Sequence, residues 1–471
     1  MTMYCSHQKR TRWHFNLNFR YMNNRIKYFA ATLVIIAMTG CEKFLEEKPD
    51  QKLATITTIR DMQAVLDDYA TLNYTDPAMG EVCGDNYYMT DVVFNARDEY
   101  DRNLYVWASA NIFKPQYNAW TNIYAQVNVA NNILQAVADN STIINDNDAL
   151  AGISAQAYFF RGRAFFNALG VWSMPYNTAT AETLPGIPLR LNADFNEPST
   201  RQSIADGYDQ VLADLKKSAQ FLPDVVPSPT RPSKAAAYGM LSRVYLQMRN
   251  YIAAGEYADS CLRFQQRLLD YNTLTITVNF PLPHLNEEVI FESRVATAGP
   301  IVQSRALINP VLYDMYHTDD LRKLAFFRAS GTSYIFKGSY QAGATLFNGI
   351  TTAEMLLTRA ECKARDGKVN EALDDLNLLL QYRYRTGTFV PTLATSSLEA
   401  LEIIKDERRK ELAFRSMRWL DIKRYNEEGD GITLSRTIDG KVYKLEPQSK
   451  GYALPIPEDV IALSGMQQNE R

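Results

Sequence analysis

The residues best suited to chemistry in this sequence are a short run of acid, amide and aromatic side chains. Asp85, Asn86, Tyr87 and Tyr88 follow one another directly after Gly84. Binding sites for polar small molecules combine flat aromatic rings with a few placed hydrogen-bonding groups, and a sugar offers both an apolar ring face and hydroxyls. These four residues are therefore candidate ligand contacts. The alternative is that they pack in the core or lie in a solvated loop.

Further candidates come from an aromatic-rich composition of 28 Tyr, 21 Phe and 5 Trp. Trp107, with its sequence neighbour Asn111, is the next candidate, and Tyr334 and Tyr340 lie in a region rich in loop-forming residues. Core packing is again the alternative for each. The aromatic residues from Tyr158 to Phe166 recur at helical spacing, which is typical of a core-facing stripe.

No catalytic or metal-binding motif in the sequence indicates an enzyme. Beyond residue 40 only His284 and His317 remain, and neither a His-x-x-x-His nor a Cys-x-x-Cys spacing occurs. We therefore predict no metal site, no cofactor and no catalytic residue. A glycosidase needs only two carboxylates at a suitable separation, so a surface glycoside hydrolase stays open as a minor alternative.

The N-terminus has the organisation of an export signal. Arg25 and Lys27 precede an uncharged apolar run over 28–38, and the small residues Thr39 and Gly40 precede Cys41. A basic region, a short apolar region and a small-residue cleavage site define a secretory signal peptide. The apolar run is too short for a membrane span, which takes about 20 residues.

The end of this signal resembles a bacterial lipobox. Met38-Thr39-Gly40-Cys41 predicts that Cys41 becomes the first residue of the mature protein and carries the lipid that holds it in a membrane. Met22 begins the signal cleanly, so we predict Met22 as the true start and 1–40 as leader and signal peptide.

Charge and cysteine content exclude two classes of protein. Six of the 50 basic residues and none of the 53 acidic residues precede Cys41, which leaves a net charge near −9 from Cys41 onward. Nucleic-acid binding requires a basic face, so we expect no nucleic-acid partner. Cys83, Cys261 and Cys362 are too scattered to suggest a disulfide framework.

Helical periodicity dominates the remaining chain. Apolar residues from Trp120 to Val137 recur at offsets that place them on one helical face. A second helix is predicted through Tyr158 and Leu169, a third over 203–221, and a last one from Ser396 to about Arg418. The pair Ser396 and Glu399 has the spacing of a capping box.

Two segments look like one helix-pair unit used twice. The first breaks near Asn250 and has Ala254 at the helix crossing; the second breaks at Gly367 and has Ala372 there. This resembles the tetratricopeptide repeat, which places small residues where paired helices approach. Between them, 271–350 reads as irregular structure with short strands at Leu274–Val278 and Tyr334–Phe336. The predicted fold class is mainly α: a tetratricopeptide-like helix-pair scaffold with irregular loop and short-strand insertions.

At the last helix the sequence resembles a known family. Glu407–Phe414 followed by Arg418–Arg424 is similar to a signature of the SusD/RagB family. The resemblance extends along the chain through Phe44–Glu46, Trp120–Tyr124, Asn128–Asn132, Arg161–Gly170, Met174-Pro175, Leu454–Pro457 and Gln468-Asn469. Arg415-Ser416 departs from the Glu-Gly that the family commonly has there. From the residues alone, we expect the charges of the signature to form a structural ion network around Trp419.

The resemblance implies a function. Members are surface lipoproteins of Bacteroidetes-type bacteria that capture nutrients, and we therefore expect a protein that binds a glycan or oligosaccharide and delivers it to a TonB-dependent SusC-like outer-membrane barrel. It implies an outer-membrane location facing outward, with an acidic tether over Glu42–Glu47. The expected organisation is an N-terminal half over 41–230 and a C-terminal half over 231–471. A lipid-anchored helical-repeat scaffold for protein assembly is the main alternative.

Overall fold

The computed structural model describes residues 56–194 and 196–471. The predicted leader, Cys41 and the acidic tether lie outside the described residues, so the lipid anchor stays a prediction. Residues 56–471 form one compact unit. The division into halves at residue 230 also stays a prediction.

Helices make up about 48% of the described residues, which confirms the mainly α class. The described residues form 17 α-helices: α1 Ile59–Leu66, α2 Tyr69–Leu72, α3 Met79–Cys83, α4 Asp91–Asn95, α5 Glu99–Tyr105, α6 Ala119–Asn140, α7 Asn147–Trp172, α8 Ile204–Phe221, α9 Lys234–Gln247, α10 Tyr251–Leu262, α11 Pro310–Asp314, α12 Arg322–Phe326, α13 Thr352–Arg365, α14 Val369–Gln381, α15 Ser397–Glu411, α16 Arg418–Glu427 and α17 Glu458–Ser464.

The strands are short and pair antiparallel. They are β1 Tyr87–Tyr88, β2 Pro185–Pro188, β3 Arg201–Ser203, β4 Val289–Phe291, β5 Leu307–Ile308, β6 Phe327–Ser330, β7 Ser333–Phe336, β8 Ile350–Thr351, β9 Leu434–Ile438 and β10 Lys441–Leu445. Four of them form a sheet in the order β1-β5-β7-β6, and the others form the pairs β2–β3, β4–β8 and β9–β10. The larger sheet thus joins β1, near the N-terminal end, to the irregular region between the repeats.

The long helices pack on one another in chain order. Each long helix packs against the next one in the chain: α6 against α7, α7 against α8, α8 against α9, and α9 against α10. α10 then packs against α13, which packs against α14 and α15. The two predicted repeat pairs, α9–α10 and α13–α14, are therefore spatial neighbours, and residues 263–351 loop out between them. The prediction of repeats interrupted by an insertion is confirmed.

Small residues allow the close approach of the paired helices. Ala254 on α10 and Ala372 on α14 are fully buried. A Cβ atom added at Gly255 would lie 3.0 Å from the Cβ of Cys362 on α13, so a larger residue there would push α10 away. Gly367 has φ +79° at the turn between α13 and α14, a left-handed conformation that glycine adopts without steric cost.

Two local predictions were wrong. Leu274–Val278 forms turns rather than a strand. The last predicted helix does not continue to Arg418: α15 ends at Glu411, and α16 begins at Arg418. Between them Phe414 and Ser416 have φ +59° and +58°. Tertiary packing overrides the local helical preference here, because the buried Phe414 ring stacks on Phe336 with ring centroids 4.5 Å apart.

A buried ion network surrounds the C-terminal end of α15. Glu411 accepts hydrogen bonds from Arg322 (3.0 Å) and Arg383 (2.8 Å). Arg383 also bonds Glu288 at 2.6 Å, and Arg322 bonds Asp320 at 2.7 Å. Burial alone would raise the pKa of Glu411, but the guanidinium groups of Arg383 and Arg322 lower it to about 2. The carboxylate is therefore charged at neutral pH and holds α15 to the insertion.

A second network lies between α13, α15 and α16. Asp421 accepts from Arg408 at 2.9 Å and from Arg424 at 3.2 Å, and Arg424 also bonds Glu361. The predicted structural network is thus present, with one difference. Arg418 does not join it, because its guanidinium group binds Asp85.

The repeat packing predicts a specific sensitivity at Ala372. We expect Ala372→Leu to lower the free energy of unfolding by about 1–3 kcal/mol, since the added methyl groups have no free volume between α13 and α14. Asp374→Leu, on the exposed face of the same helix, is the control and should stay within about 0.5 kcal/mol. Urea unfolding of both variants measures the difference; equal stability of Ala372→Leu and the parent protein would contradict the close packing.

Candidate functional site

A cavity of about 240 Å³ brings four of the seven predicted ligand contacts together. Asp85, Tyr87, Tyr88 and Trp107 line it. The remainder of the wall comes from Gly84, Met89, Tyr105, Asn309, Leu434, Ser435, Arg436 and Thr437. The cavity therefore lies where the end of α3, strand β1, the end of α5 and strand β9 meet.

Local structure explains how the first cluster reaches the cavity. Gly84 ends α3 in an extended conformation, and β1 then pairs with β5, with Tyr87 opposite Ile308 and Tyr88 opposite Leu307. Neighbouring side chains of a strand point to opposite faces. Accordingly Tyr87 is buried, with its hydroxyl donating to the Val82 carbonyl at 3.0 Å, whereas Tyr88 is half-buried.

Tyr88 and Trp107 are two of the aromatic candidates in the cavity wall. The Tyr88 hydroxyl lies 2.7 Å from Ser333 Oγ, which fixes the ring at the end of β7. Trp107 follows α5 with φ +56°, and its Nε1–H donates to the Cys83 carbonyl at 3.0 Å. The Trp107 ring is largely buried, so Tyr88 has the larger accessible face of the two.

Asp85 is held by two arginines. Arg418 bonds both carboxylate oxygens, at 2.7 and 2.9 Å, and Arg409 bonds Oδ2 at 3.1 Å. Burial would raise the pKa of Asp85, but the adjacent Arg418 outweighs it and the pKa falls to about 2. A sugar hydroxyl would have to compete with these charged partners for Asp85. Its role as a ligand contact stays a prediction.

Asn86 and Glu81 form a buried polar pair behind the cavity. Asn86 donates to Glu81 Oε1 at 3.2 Å, and the Ser416 backbone N–H donates to Oε2 at 2.9 Å. Burial raises the pKa of Glu81 to about 7, despite these two hydrogen bonds, which favour the charged form. Asn86 does not line the cavity, so its predicted contact with a ligand is also untested.

Sequence reasoning missed Arg436, the most prominent cation of the cavity wall. Its guanidinium group donates to the Val82 carbonyl at 2.8 Å, to the Gly84 carbonyl at 2.7 Å and to the Tyr105 carbonyl. It also lies 3.5 Å from the ring centroid of Tyr105 and 4.7 Å from that of Trp107. The available signal was the alternation of β9, which places Arg436 on the inward face.

The other two aromatic candidates lie elsewhere. The Tyr334 ring stacks on Tyr313 with centroids 3.7 Å apart and an angle of 13° between the planes. Tyr340 is buried, its hydroxyl donates to Glu288 Oε2 at 2.9 Å, and the Arg415 guanidinium lies 3.9 Å from its ring centroid. Both rings already have partners on a face, which favours a packing role; contact with a ligand stays a prediction for both.

A larger cleft of about 570 Å³ was not foreseen from the sequence. Its floor is one face of α6, with Trp120, Tyr124, Asn128 and Asn131. The Trp120 ring is almost completely buried, and the Tyr124 hydroxyl donates to the Pro188 carbonyl at 2.9 Å. The cleft combines aromatic and amide groups and is the second candidate for a ligand site.

No group of three or more His, Cys, Asp or Glu residues in 56–194 and 196–471 is arranged to hold a metal ion. Within the same residues, no helix combines the length and apolar character needed to cross a membrane.

Comparison with protein families gives two matches on separate parts of the chain. Residues 43–246 match a SusD-like family described as starch-binding and associating with the outer membrane. Residues 341–470 match the SusD family. A similar curated protein is SusD-like protein P2 of Formosa agariphila, 25% identical over 514 residues that cover 92% of this chain and 97% of that protein.

Solved structures share the fold. A SusD superfamily protein from Bacteroides thetaiotaomicron is 20% identical with a TM-score of 0.72, and the match covers 88% of this chain and all of that one. A SusD-like carbohydrate binding protein from Bacteroides vulgatus is 18% identical with a TM-score of 0.64, covering 87% and 97% of the two chains. At these identities the likeness concerns the architecture.

The raised pKa of Glu81 predicts a pH-dependent contribution to stability. Below its usual pKa of 4.5 the group is protonated in both the folded and the unfolded chain. Between 4.5 and about 7 only the folded chain keeps the proton, so stability falls as the pH rises across this range, by about 3 kcal/mol in total.

Glu81→Gln should remove this slope, because glutamine does not titrate. Chemical unfolding at a series of pH values from 4 to 8 measures the free energy for the parent protein and the variant. Exposed Glu99→Gln is the control and should keep the slope. An unchanged slope in Glu81→Gln would show that Glu81 is charged in the folded protein.

Proposed function

The chain belongs to the SusD/RagB family, and we propose that it is an outer-membrane lipoprotein that binds a glycan or oligosaccharide nutrient. In this proposal it faces outward on the cell surface and delivers the ligand to a TonB-dependent SusC-like barrel. The family that matches the N-terminal part is described as starch-binding and associating with the outer membrane. This description supports a glycan as the ligand and the outer membrane as the location. The cavity beside β1 supports a site on this chain.

The observation that carries the proposal is the composition of that cavity. Its wall includes the half-buried Tyr88 together with the polar residues Asn309, Ser435 and Thr437. A ring of a sugar can pack on the tyrosine while its hydroxyls bond polar groups around it. At about 240 Å³ the cavity is smaller than sites that enclose a whole drug-sized ligand, which suits one ring of a longer chain that extends into solvent.

Binding without turnover fits this cavity better than hydrolysis. Glycoside hydrolysis uses two carboxyl groups on either side of the bond, one of them protonated. Asp85 is the single carboxylate of the wall among the described residues, and its pKa of about 2 leaves it without a proton to donate. Glu81 has a suitable pKa, but it is buried and outside the wall. We therefore propose that the protein is not an enzyme.

The main alternative is a scaffold that uses its helix pairs to assemble other proteins. It predicts no affinity for free glycans, because the repeat helices alone would make the contacts. The glycan hypothesis predicts saturable binding that depends on the cavity. The two hypotheses therefore differ in a direct measurement of glycan binding.

We expect a panel of soluble oligosaccharides to include at least one that quenches the tryptophan fluorescence of the purified protein, since Trp107 lines the cavity. Tyr88→Ala should weaken that binding about tenfold or more, because a central aromatic contact is commonly worth over 1 kcal/mol. Tyr117→Ala, whose side chain is 91% exposed and outside the cavity, is the control. Full affinity in Tyr88→Ala would move the site to the larger cleft, and no binding of any glycan would favour the scaffold.

The anchor and the transporter partner can be tested together. With a C-terminal tag on the protein, gentle detergent extraction should recover a lipidated chain together with an outer-membrane barrel protein. Cys41→Ala should abolish incorporation of labelled fatty acid, whereas Cys5→Ala should have no effect because it precedes the predicted start at Met22. Fatty acid on the Cys41→Ala protein would contradict the lipobox. Recovery of a lipidated protein alone would contradict the partnership with a barrel.

A further inference from the structure

The charges around the cavity beside β1 do not cancel. Arg436 forms part of the wall and bonds no carboxylate among the residues that the structure describes. Asp85 is the acidic group of the wall, and it is paired with two cations, Arg409 and Arg418. These four side chains leave an excess of two positive charges, although the whole chain carries a formal net charge of −3.

The nearest further acid offsets this excess only in part. Glu81 lies behind Asn86, and its pKa of about 7 means that its negative charge is incompletely developed at neutral pH. The cavity is therefore cationic at neutral pH whichever form Glu81 adopts.

Arg436 also keeps hydrogen-bonding capacity for a ligand. A guanidinium group has five N–H donors, and three of those of Arg436 are used by the carbonyls of Val82, Gly84 and Tyr105. The Nε–H group has no acceptor among the described residues, and Nε does not belong to the buried atoms that lack a partner. Although Arg436 is only 7% exposed, its Nε–H group is therefore open to water or to a ligand.

In another groove of the protein, distinct from the cleft along α6, the cations of the wall are paired with carboxylates. This groove of about 570 Å³ lies between α10 and α13 and is lined by Arg359, Lys363 and Arg365. Each of these cations bonds a carboxylate: Arg359 and Lys363 bond Asp375, and Arg365 bonds Glu428. Cations there are neutralised within the protein, whereas the cavity beside β1 keeps an unbalanced guanidinium group.

We propose that this cavity selects glycans whose sugar rings carry an oxyanion, either a carboxylate or a sulfate ester. The inference rests on the proposed function and names its ligand class. An oxyanion accepts the Nε–H group of Arg436 in a charge-assisted hydrogen bond, which is stronger than one to a neutral hydroxyl. The half-buried Tyr88 ring of the same wall packs against a sugar ring of the ligand, and the excess positive charge attracts the ligand from solution.

Paired ligands that differ in charge alone test this inference. Isothermal titration of the purified whole protein would compare oligogalacturonate with its neutral methyl ester, and sulfated carrageenan oligosaccharides with their desulfated forms. We expect the anionic member of at least one pair to bind about tenfold more tightly at low ionic strength, with the preference decreasing as salt screens the charges. The two pairs distinguish a carboxylate from a sulfate.

Ser435 supplies a variant that assigns the preference to this cavity. Ser435 is exposed on β9 and belongs to the cavity wall, so the fold tolerates a change there. Ser435→Asp should weaken binding of the anionic ligand about tenfold, because the added carboxylate repels the oxyanion. Tyr117→Asp adds the same charge at a side chain that is 91% exposed and outside the cavity, and it should bind within about twofold of the parent protein.

Three results would overturn the inference, and they have different consequences. Equal affinity for the anionic and neutral members of both pairs would reject the anionic class and leave glycan binding intact. A preference for anions that Ser435→Asp does not reduce would reject this cavity as its origin. The absence of binding by any glycan would reject both the inference and the proposed function.

Discussion

The buried carboxylate of Glu411 is the interaction on which much of the structure depends. Its two oxygens are shared between Arg322 and Arg383, which come from the insertion and from the loop after α14. An unpaired charge of this kind would cost several kcal/mol in desolvation. Burial of Glu411 on α15 therefore requires both arginines to reach it. Their hydrogen bonds join α15 to α12 in the insertion and to the loop after α14.

The same network explains a departure from the family pattern. Arg415 and Lys410 add two positive charges beside Arg322 and Arg383, and the four cations face four acids: Asp320, Glu288, Glu407 and Glu411. A glutamate in place of Arg415 would leave this buried cluster with excess negative charge. Ser416, where the family commonly has glycine, has φ +58°, a conformation that glycine adopts with less strain.

The structural charges also shape the candidate ligand site. Arg418 belongs to the signature on α15 and α16, yet its carboxylate partner is Asp85 in the cavity wall. The break between α15 and α16 makes this pairing possible, because it redirects the chain after Phe414. The acid of the wall is thereby neutralised by the scaffold, and Arg436 is left as a cation of the wall without a carboxylate partner among the described residues.

Local patterns were enough to predict the long helices, apart from the break between α15 and α16, because an apolar stripe of period 3.6 and small residues at a crossing act over a few turns. The same holds for the sequence cluster at Asp85–Tyr88, whose members are adjacent in the chain. Tertiary structure alone decided which charges pair, that the two repeats stack across residues 263–351, and that Arg436 faces the aromatic cavity. These features depend on contacts between different elements, from Arg383–Glu411 at 28 positions apart to Arg418–Asp85 at 333. The burial that determines them is a property of the packed molecule rather than of any segment of its sequence.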